Sequence, residues 1–377
     1  MKYQVISGFF LLLTNSIAQA QEDRIQILDA VDSSVIEGVH VVDLKGDMNR
    51  VSNEDGMIKR PTTKGQWRVS HIGYQSELVE EWGDIDILFL WPRRHELDTV
   101  NLYGFDLRKY LNQCLVEESQ KDSRRGISGR KLFRKRALTN GEITQLFQIQ
   151  IETTDRNEIF LCGVDYAAEF DLKTPLQAGG YIDPEYLISQ LRAHYPIAYL
   201  LKYLVQYDIA EVQVDSETVK VLFSGVLKDR SNATMVLESG RLVFRKSNRQ
   251  PLYLEWVSRP QLKFKKDYSK RYRKRYSFAV EKNFQAWEFD RNNEGFPKIM
   301  EFNTYVFLFV QAQGKMDNVV LKNQIISGLE FDRDSTCKEL IRGKAFVDQL
   351  QAVKPSRSEF LLSNAEKNFL KINGQYD

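Results

Sequence analysis

The sequence has few of the residues on which catalytic and metal sites usually depend. Its 377 residues include three cysteines and four histidines. No two cysteines have the C-x-x-C spacing of a metal or redox site, and no histidine is followed three residues later by glutamate, as a zinc carboxypeptidase requires. G-x-S-x-G, Walker A and H-E-x-x-H motifs are also absent from the sequence. We therefore expect no catalytic residues, no cofactor and no metal site, and predict that the protein is not an enzyme.

The three cysteines, Cys114, Cys162 and Cys337, leave two interpretations open. In an oxidising compartment two of them can form a disulfide and leave one free thiol. All three can equally be small buried apolar residues. Their spacing does not select a pair.

Long apolar runs are also scarce. After the first twenty residues no segment is apolar for the roughly twenty residues that a membrane span needs. Residues 1–20 combine Lys2, an apolar stretch over 5–13 and the small-x-small pattern Ala18-Gln19-Ala20, which is typical of a signal peptidase site. A buried N-terminal strand or helix is the alternative. We expect 1–20 to be a signal peptide and the mature protein to be exported, in the periplasm or associated with the outer membrane.

Charge is nearly balanced in the whole chain but concentrated in one stretch. The formal net charge is +2, whereas KFKKDYSKRYRKRYSF at 263–278 contains eight basic residues and one acidic residue. Its aromatic residues recur at every fourth position, so they share one face of either a strand or a helix. The basic residues are Lys263, Lys265, Lys266, Lys270, Arg271, Arg273, Lys274 and Arg275.

This basic stretch has two interpretations, a solvated structural element or a surface that binds an anionic partner. An exported protein rarely meets nucleic acid, so we expect no nucleic-acid partner. An envelope protein, a lipid or a glycan is the expected partner, because each can present negative charge to such a surface. The oligomeric state and the identity of the ligand stay open.

Residues 21–103 are predicted to form a β-sandwich. Short segments alternate apolar and polar side chains, as half-buried strands do, and turn-rich segments separate them. The predicted strands are RIQILDAV at 24–31, GVHVVDL at 38–44, WRVSHIGY at 67–74, IDILFLW at 85–91 and DTVNLYG at 98–104.

Four motifs in this region resemble the carboxypeptidase-regulatory-like domain: IEGVHV at 36–41, NEDGMI at 53–58, SHIGY at 70–74 and LDTV at 97–100. The resemblance implies a seven-stranded, prealbumin-like sandwich of the kind common in envelope proteins of the Bacteroidetes. The chain departs from the usual pattern at Asn53, Ile58 and Asp98, where the family has Asp, Phe and Glu.

Residues 104–350 are predicted to form a larger α+β domain. Leu107, Leu111 and Leu115 have the spacing of an amphipathic helix opened by Asp106. Two more helices are expected at 184–195 and 196–207, and a strand at 143–152. From 210 onwards, successive strands with short turns predict an antiparallel meander. We expect this meander to form a curved sheet whose apolar side is covered by helices.

The last segment, 351–377, is predicted to be a C-terminal helical tail. SNAE at 363–366 has the pattern of a helix-opening capping box, as does TCKE at 336–339. The fold class expected for the whole chain is therefore α+β, with an N-terminal sandwich followed by the larger domain.

Three functional hypotheses follow. The region after 210 is similar to the segments that follow such sandwiches in Bacteroidetes envelope proteins, and in architecture to the half-barrel of periplasmic lipoprotein carriers. The leading hypothesis is an exported, non-enzymatic binding or adaptor module of the cell envelope. The alternative is a periplasmic carrier or sensor of a lipid or glycan in the concave sheet of the second domain. A hydrolase with an unfamiliar site is the third.

Overall fold

A computed structural model describes residues 23–45, 48–63, 65–93, 106–119, 129–154, 158–169, 194–228, 234–269, 274–290, 299–312, 314–329, 337–341, 349–350, 352–356, 358 and 360–374. The signal peptide predicted at 1–20 and the strand predicted at 98–104 lie outside these residues. The described part of the chain is mostly β-structure, with nineteen strands and three short helices. The prediction of an α+β fold with covering helices is therefore wrong.

Seven short strands near the N-terminus form two sheets around one core. They are β1 Arg24–Asp29, β2 His40–Asp43, β3 Asn49–Val51, β4 Met57–Lys59, β5 Trp67–Ser70, β6 Glu77–Val79 and β7 Ile87–Leu90. One sheet has the order β4-β1-β7 and the other the order β3-β2-β5-β6. Ile25 and Ile27 of the first sheet pack with Val41, Trp67 and Val69 of the second. This unit is called the sandwich below.

Twelve further strands form one large sheet. They are β8 Gly129–Thr139, β9 Glu142–Thr153, β10 Ile159–Glu169, β11 Leu204–Val214, β12 Thr218–Lys228, β13 Thr234–Arg245, β14 Pro251–Pro260, β15 Lys265–Ser269, β16 Lys274–Phe289, β17 Ile299–Ala312, β18 Lys315–Ser327 and β19 Lys338–Glu339. Their order is β11-β12-β13-β14-β16-β17-β18-β8-β9-β10-β19, and β15 pairs with the first part of β16. All pairs in this sheet are antiparallel.

Two of the helices, α1 Leu107–Ser119 and α2 His194–Tyr203, pack against this sheet through Leu107, Leu111, Ile197 and Leu200. The backbone N–H of Lys109 donates to the Asp106 carboxylate, as expected for a helix opened by Asp106. The helix predicted at 196–207 ends early, because pairing with β12 begins at Leu204. Strand pairing therefore overrides the helical periodicity of this segment.

The third helix, α3 Asn364–Ile372, begins with the predicted capping box of Ser363 and Glu366. The other predicted capping box, at 336–339, is wrong. Lys338 and Glu339 form β19, which pairs with β10, and Cys337 forms a disulfide with Cys162. Because β19 extends the sheet edge, these residues are not available to open a helix.

The sandwich docks on one face of the large sheet. Val51 of β3 packs with Leu132 of β8, Ile326 of β18 and Phe360. The backbone N–H of Asn49 donates to the Gly328 carbonyl over 2.6 Å. The face that receives the sandwich is called the sandwich face below, and the opposite face, which receives α1 and α2, is called the apolar face.

Candidate functional site

The apolar face of the large sheet carries two buried clusters. The first cluster includes residues of α1, of α2 and of four central strands, among them Phe133 of β8, Trp287 of β16, Phe302 of β17 and Ile325 of β18. The second cluster contains strand residues alone, again with members on the same four strands: Ala137, Phe278, Val306 and Leu321. The helices that the structure describes therefore pack on only part of this face.

A row of buried polar side chains separates the two clusters. Alternate residues of a strand point to the same face, and on β17 the alternate positions after Phe302 are Thr304 and then Val306. Register partners extend this row across four strands in the order Gln285, Thr304, Asn323 and Lys135. Their exposed fractions are 7%, 3%, 1% and 5%. The row runs from Trp256 of β14 at one end to Phe147 of β9 at the other.

Asn323 stands out within this polar row. Neither its side-chain nitrogen nor its side-chain oxygen has a hydrogen-bond partner. Leaving a buried polar group without a hydrogen bond costs about 1–3 kcal/mol, and such groups in native proteins usually meet water or a ligand. Its neighbour Lys135 places its Nζ 5.5 Å from the ring centroid of Phe147. The row thus holds an amide without a hydrogen-bond partner, next to a lysine that contacts an aromatic ring, between two apolar clusters.

An aromatic ladder leads from α2 to this row. The rings of Tyr199 and Trp256 are stacked at 5.8 Å between centroids, Trp256 lies 4.5 Å from Trp287, and Trp287 lies 5.0 Å from Phe302. Aromatic contacts of this kind provide a large, rigid apolar surface. The polar row therefore lies directly beside the most aromatic part of the first cluster.

The sandwich face carries more charged side chains than the apolar face. Arg136 of β8 and Lys322 of β18 both contact the carboxylate of Glu54 of the sandwich. These groups line a cleft of about 480 Å³, partly open to solvent, together with Glu37 and Tyr305. Each cation here faces an acidic partner, so the cleft serves to join the sandwich to the sheet.

Local charges and burial shift the pKa values of two glutamates in this cleft. Burial would raise the pKa of Glu54, but hydrogen bonds and charge from Arg136 and Lys322 outweigh burial and lower it to about 2. Burial and the nearby Glu54 carboxylate raise the pKa of Glu37. The junction between the sandwich and the sheet therefore depends on the ionised form of Glu54.

The basic stretch at 263–278 forms the β15–β16 hairpin. Four of its candidate side chains are exposed: Lys263, Lys265, Lys266 and Arg275. Three other candidates, Lys270, Arg271 and Arg273, lie outside the described residues, and only the backbone of Lys274 is described. The aromatic positions divide, because Tyr276 is 4% exposed within the second cluster whereas Phe264 is 44% exposed. The hairpin therefore places exposed cations beside the second cluster.

Sequence reasoning missed the polar row. The available signal was weak, since Asn323 and Thr304 are single polar interruptions in otherwise apolar alternations, VVLKNQII on β18 and FNTYVFLFV on β17. Lys135 lies in a strand that the sequence did not predict.

Of the two interpretations of the cysteines, the structure shows the disulfide, which joins Cys162 and Cys337. The side chain of Cys114 lies outside the described residues.

Comparison with known proteins gives little support for assigning a family. No family model matches the chain, and no curated protein matches it. A LolA superfamily protein from Nitrosomonas europaea is similar at 12% identity and a TM-score of 0.24, over 59% of this chain and 94% of that one. A chain of the Pseudomonas aeruginosa MucA/MucB complex is similar at 10% identity and a TM-score of 0.17, over 57% of this chain and 92% of that one. At these scores neither structure shows a shared fold.

None of the helices in the described ranges has both the length and the apolar character that crossing a membrane requires.

Proposed function

We propose that the chain is an exported, non-enzymatic binding protein of the cell envelope whose ligand is an amphipathic lipid held on the apolar face of the large sheet. The observation that carries the proposal is Asn323, a buried amide with no hydrogen-bond partner between two apolar clusters. Sites for small molecules are mostly apolar and hold a few convergent polar groups that fix orientation. The polar row and its flanking clusters have this composition.

The chemistry of the row favours a lipid over a glycan. A glycan presents hydroxyl groups along its whole length and would leave many of them against Trp287, Phe302 and Leu321, which are fully or almost fully buried apolar residues. A lipid presents one polar group, which Asn323 and Lys135 can meet, and hydrocarbon that the clusters on either side can bury. An acidic head group is the best match, because Lys135 is cationic.

Ligand entry requires movement over the row. Asn323 is 1% exposed and Thr304 is 3% exposed in this closed arrangement. Among the described side chains, α1 and α2 contribute four buried leucine and isoleucine residues to the first cluster, and Tyr110 and Tyr199 pack against it as well. We propose that α1 and α2 move away from the sheet to admit the ligand.

Two observations support export. The predicted signal peptide at 1–20 is one, and the disulfide between Cys162 and Cys337 is the other. Structural disulfides form and persist in oxidising compartments such as the bacterial periplasm and the cell surface.

Tryptophan fluorescence offers a direct test of lipid binding. Trp256 and Trp287 lie on the ladder beside the polar row, whereas the other three tryptophans belong to the sandwich region. We would titrate the delipidated mature chain with dibromostearate, whose bromine atoms quench nearby indole fluorescence. Saturable quenching that disappears in Trp256→Phe/Trp287→Phe is expected. An absence of saturable quenching, together with no lipid in the native mass spectrum of the purified chain, would refute lipid binding.

An adaptor role is a second candidate, favoured by a different surface. On β7 and just after it, three alternate apolar side chains are exposed, Ile87 by 48%, Phe89 by 45% and Trp91 by 54%. The strand lies at one end of the order β4-β1-β7, where an extended segment of a partner protein can add as a further strand. A partner that co-purifies with the wild-type chain but not with Phe89→Ser/Trp91→Ser would support this role. Unchanged co-purification would exclude this surface.

A further inference from the structure

Three side chains of metal-binding type meet where the sandwich touches the large sheet. Nε2 of His40, the first residue of β2, lies 2.8 Å from Oε2 of Glu301 on β17 and 3.3 Å from Oε2 of Glu288 on β16. The side chains of His40, Glu288 and Glu301 are 3%, 13% and 5% exposed. One nitrogen and two oxygen donors therefore converge within a buried space.

The two glutamates are fixed beside each other by the sheet. Glu288 and Glu301 are register partners on adjacent antiparallel strands, so both carboxylates lie on the sandwich face. Like charges directly opposite each other destabilise a strand pair. Their placement at the point where a histidine arrives from the sandwich suits a shared cation.

Neighbouring side chains direct the donor atoms toward one another. Nδ1 of His40 is within hydrogen-bond distance of the Asn49 amide, 3.1 Å from its nitrogen and 3.3 Å from its oxygen, and contact with the oxygen would leave Nε2 unprotonated for an ion. Oε1 of Glu301 accepts from Asn303 over 2.6 Å and from Gln324 over 2.7 Å. Metal ligands are typically oriented by such outer contacts, which leave the other ring nitrogen and the other oxygen for the ion.

Nε2 of His40 lies within ion-pair distance of both carboxylates. Although Nε2 of His40 lies close to the Glu301 carboxylate, it forms no hydrogen bond of suitable geometry and is buried. An ion between the two groups would meet the lone pairs of both. A small cleft that is partly open to solvent adjoins the cluster, and Arg68, Ser70 and Asp290 also line it.

We propose that His40, Glu288 and Glu301 bind one divalent first-row transition metal ion of the zinc class. Such ions take imidazole nitrogen and carboxylate oxygen at about 2.0–2.2 Å, which places neighbouring donor atoms about 3.0 Å apart in an octahedral site and about 3.4 Å apart in a tetrahedral one. The observed separation of 3.3 Å lies within this range and that of 2.8 Å slightly below it. The ion would tie β2 of the sandwich to β16 and β17 of the sheet. The sequence did not suggest the site, because the histidine and the glutamates are far apart in the chain.

The test is calorimetric titration of the chelator-treated mature chain with ZnCl₂ at pH 7.5. One Zn²⁺ per chain is expected, with at least tenfold weaker binding in Glu301→Gln and in His40→Gln. Co²⁺ should give visible absorption bands in the wild-type chain that are absent in both variants. Glu288→Gln retains the histidine and one carboxylate, so it provides a milder variant if the others unfold.

His71→Gln is the matched control, since it removes a sandwich histidine that lies outside the cluster. Binding that weakens in His71→Gln but not in His40→Gln would show adventitious surface coordination and overturn the proposal. So would the absence of Zn²⁺ and Co²⁺ binding to the folded wild-type chain. In that case the cluster would be a proton-bridged contact between the sandwich and the sheet.

Discussion

Glu54 of the sandwich and Arg136 of β8 form a two-pronged ion pair across the junction of the two parts of the molecule. Nη1 of Arg136 donates to Oε2 of Glu54 over 2.6 Å, and Nη2 contacts Oε1. Lys322 adds a third contact to the same carboxylate at 2.9 Å. Two-pronged pairs of this kind hold geometry as well as charge. The ion pair complements the small apolar contact of Val51 in fixing the sandwich to the sheet.

Acid should weaken this junction. The pKa of Glu54 is about 2 in the folded chain, below its ordinary value of 4.5, so its contribution to stability is complete above pH 4.5 and is lost as the pH falls toward 2. Glu54→Gln should cost about 1–3 kcal/mol of unfolding free energy at pH 7, after allowance for solvent screening. Urea unfolding of both chains at pH 7, 4 and 2.5 measures the difference, which should shrink with acidification.

Glu81→Gln provides the control for this experiment, because Glu81 is an exposed acidic residue of the same region. Its effect should stay within about 0.5 kcal/mol at every pH. A cost of Glu54→Gln that is the same at pH 2.5 as at pH 7 would contradict the assignment.

Reduction of the disulfide should destabilise the edge of the large sheet. Cys162 of β10 and Cys337 are 175 residues apart in sequence, so their bond closes a long loop in the unfolded chain. We expect Cys162→Ser/Cys337→Ser to lower the unfolding free energy by about 2–5 kcal/mol. Chemical unfolding with and without dithiothreitol measures the effect. Cys114→Ser is the control, and a loss of stability in it equal to that of the double variant would indicate a different pairing.

Replacing the amide side chain of Asn323 should raise the stability of the chain but weaken its binding of lipid. Asn323→Leu has similar volume and removes two buried polar atoms that lack hydrogen bonds, so the unliganded chain should gain about 1–2 kcal/mol of unfolding free energy. The same variant should bind dibromostearate at least tenfold more weakly. Urea unfolding and fluorescence quenching measure the two effects.

Asn318→Leu makes the same change at an exposed position of the same strand and should alter neither quantity. A loss of stability in Asn323→Leu in the absence of lipid would indicate that the amide has a structural role. That result would remove the observation on which the lipid proposal rests.

The sequence predicted most strands of the large sheet but not β8, and the reason lies in the side chains of this strand. Its segment GRKLFRKRALT carries five basic residues, which interrupt the alternation on both faces. Lys135 lies on the apolar face, whereas Arg134 reaches Gln148, Gln324 and Glu366 on the sandwich face. A stronger signal for this strand than its alternation is the pair Asn140-Gly141, which is typical of a hairpin turn. Its φ angles of 52° and 90° are those of a tight turn between β8 and β9.

The polar row and the histidine–glutamate cluster could not be predicted, because each depends on register. Thr304, Asn323 and Lys135 lie in three separate strands, and only long-range pairing aligns them. Alternation shows which residues share a face of a strand, but it does not show which residues of other strands lie opposite. The capping box of Ser363 and Glu366 was predictable because all of its contacts are local.

Charge reversal in the basic β15–β16 hairpin should weaken binding to anionic membranes. Lys265, Lys266 and Arg275 are exposed on the strands that carry Tyr276 and Phe278 into the second apolar cluster. If the hairpin approaches an anionic membrane during lipid exchange, Lys265→Glu/Lys266→Glu/Arg275→Glu should lower binding to vesicles containing phosphatidylglycerol by at least tenfold. The salt dependence of binding should flatten as well, since exposed charges are screened over about 10 Å at 0.1 M salt. Vesicle co-sedimentation at 0.05 and 0.3 M NaCl measures both effects.

Lys220→Glu/Lys228→Glu/Lys246→Glu reverses the same amount of charge elsewhere on the sheet and serves as the control. Equal binding by the two triple variants would mean that the hairpin is a solvated structural element.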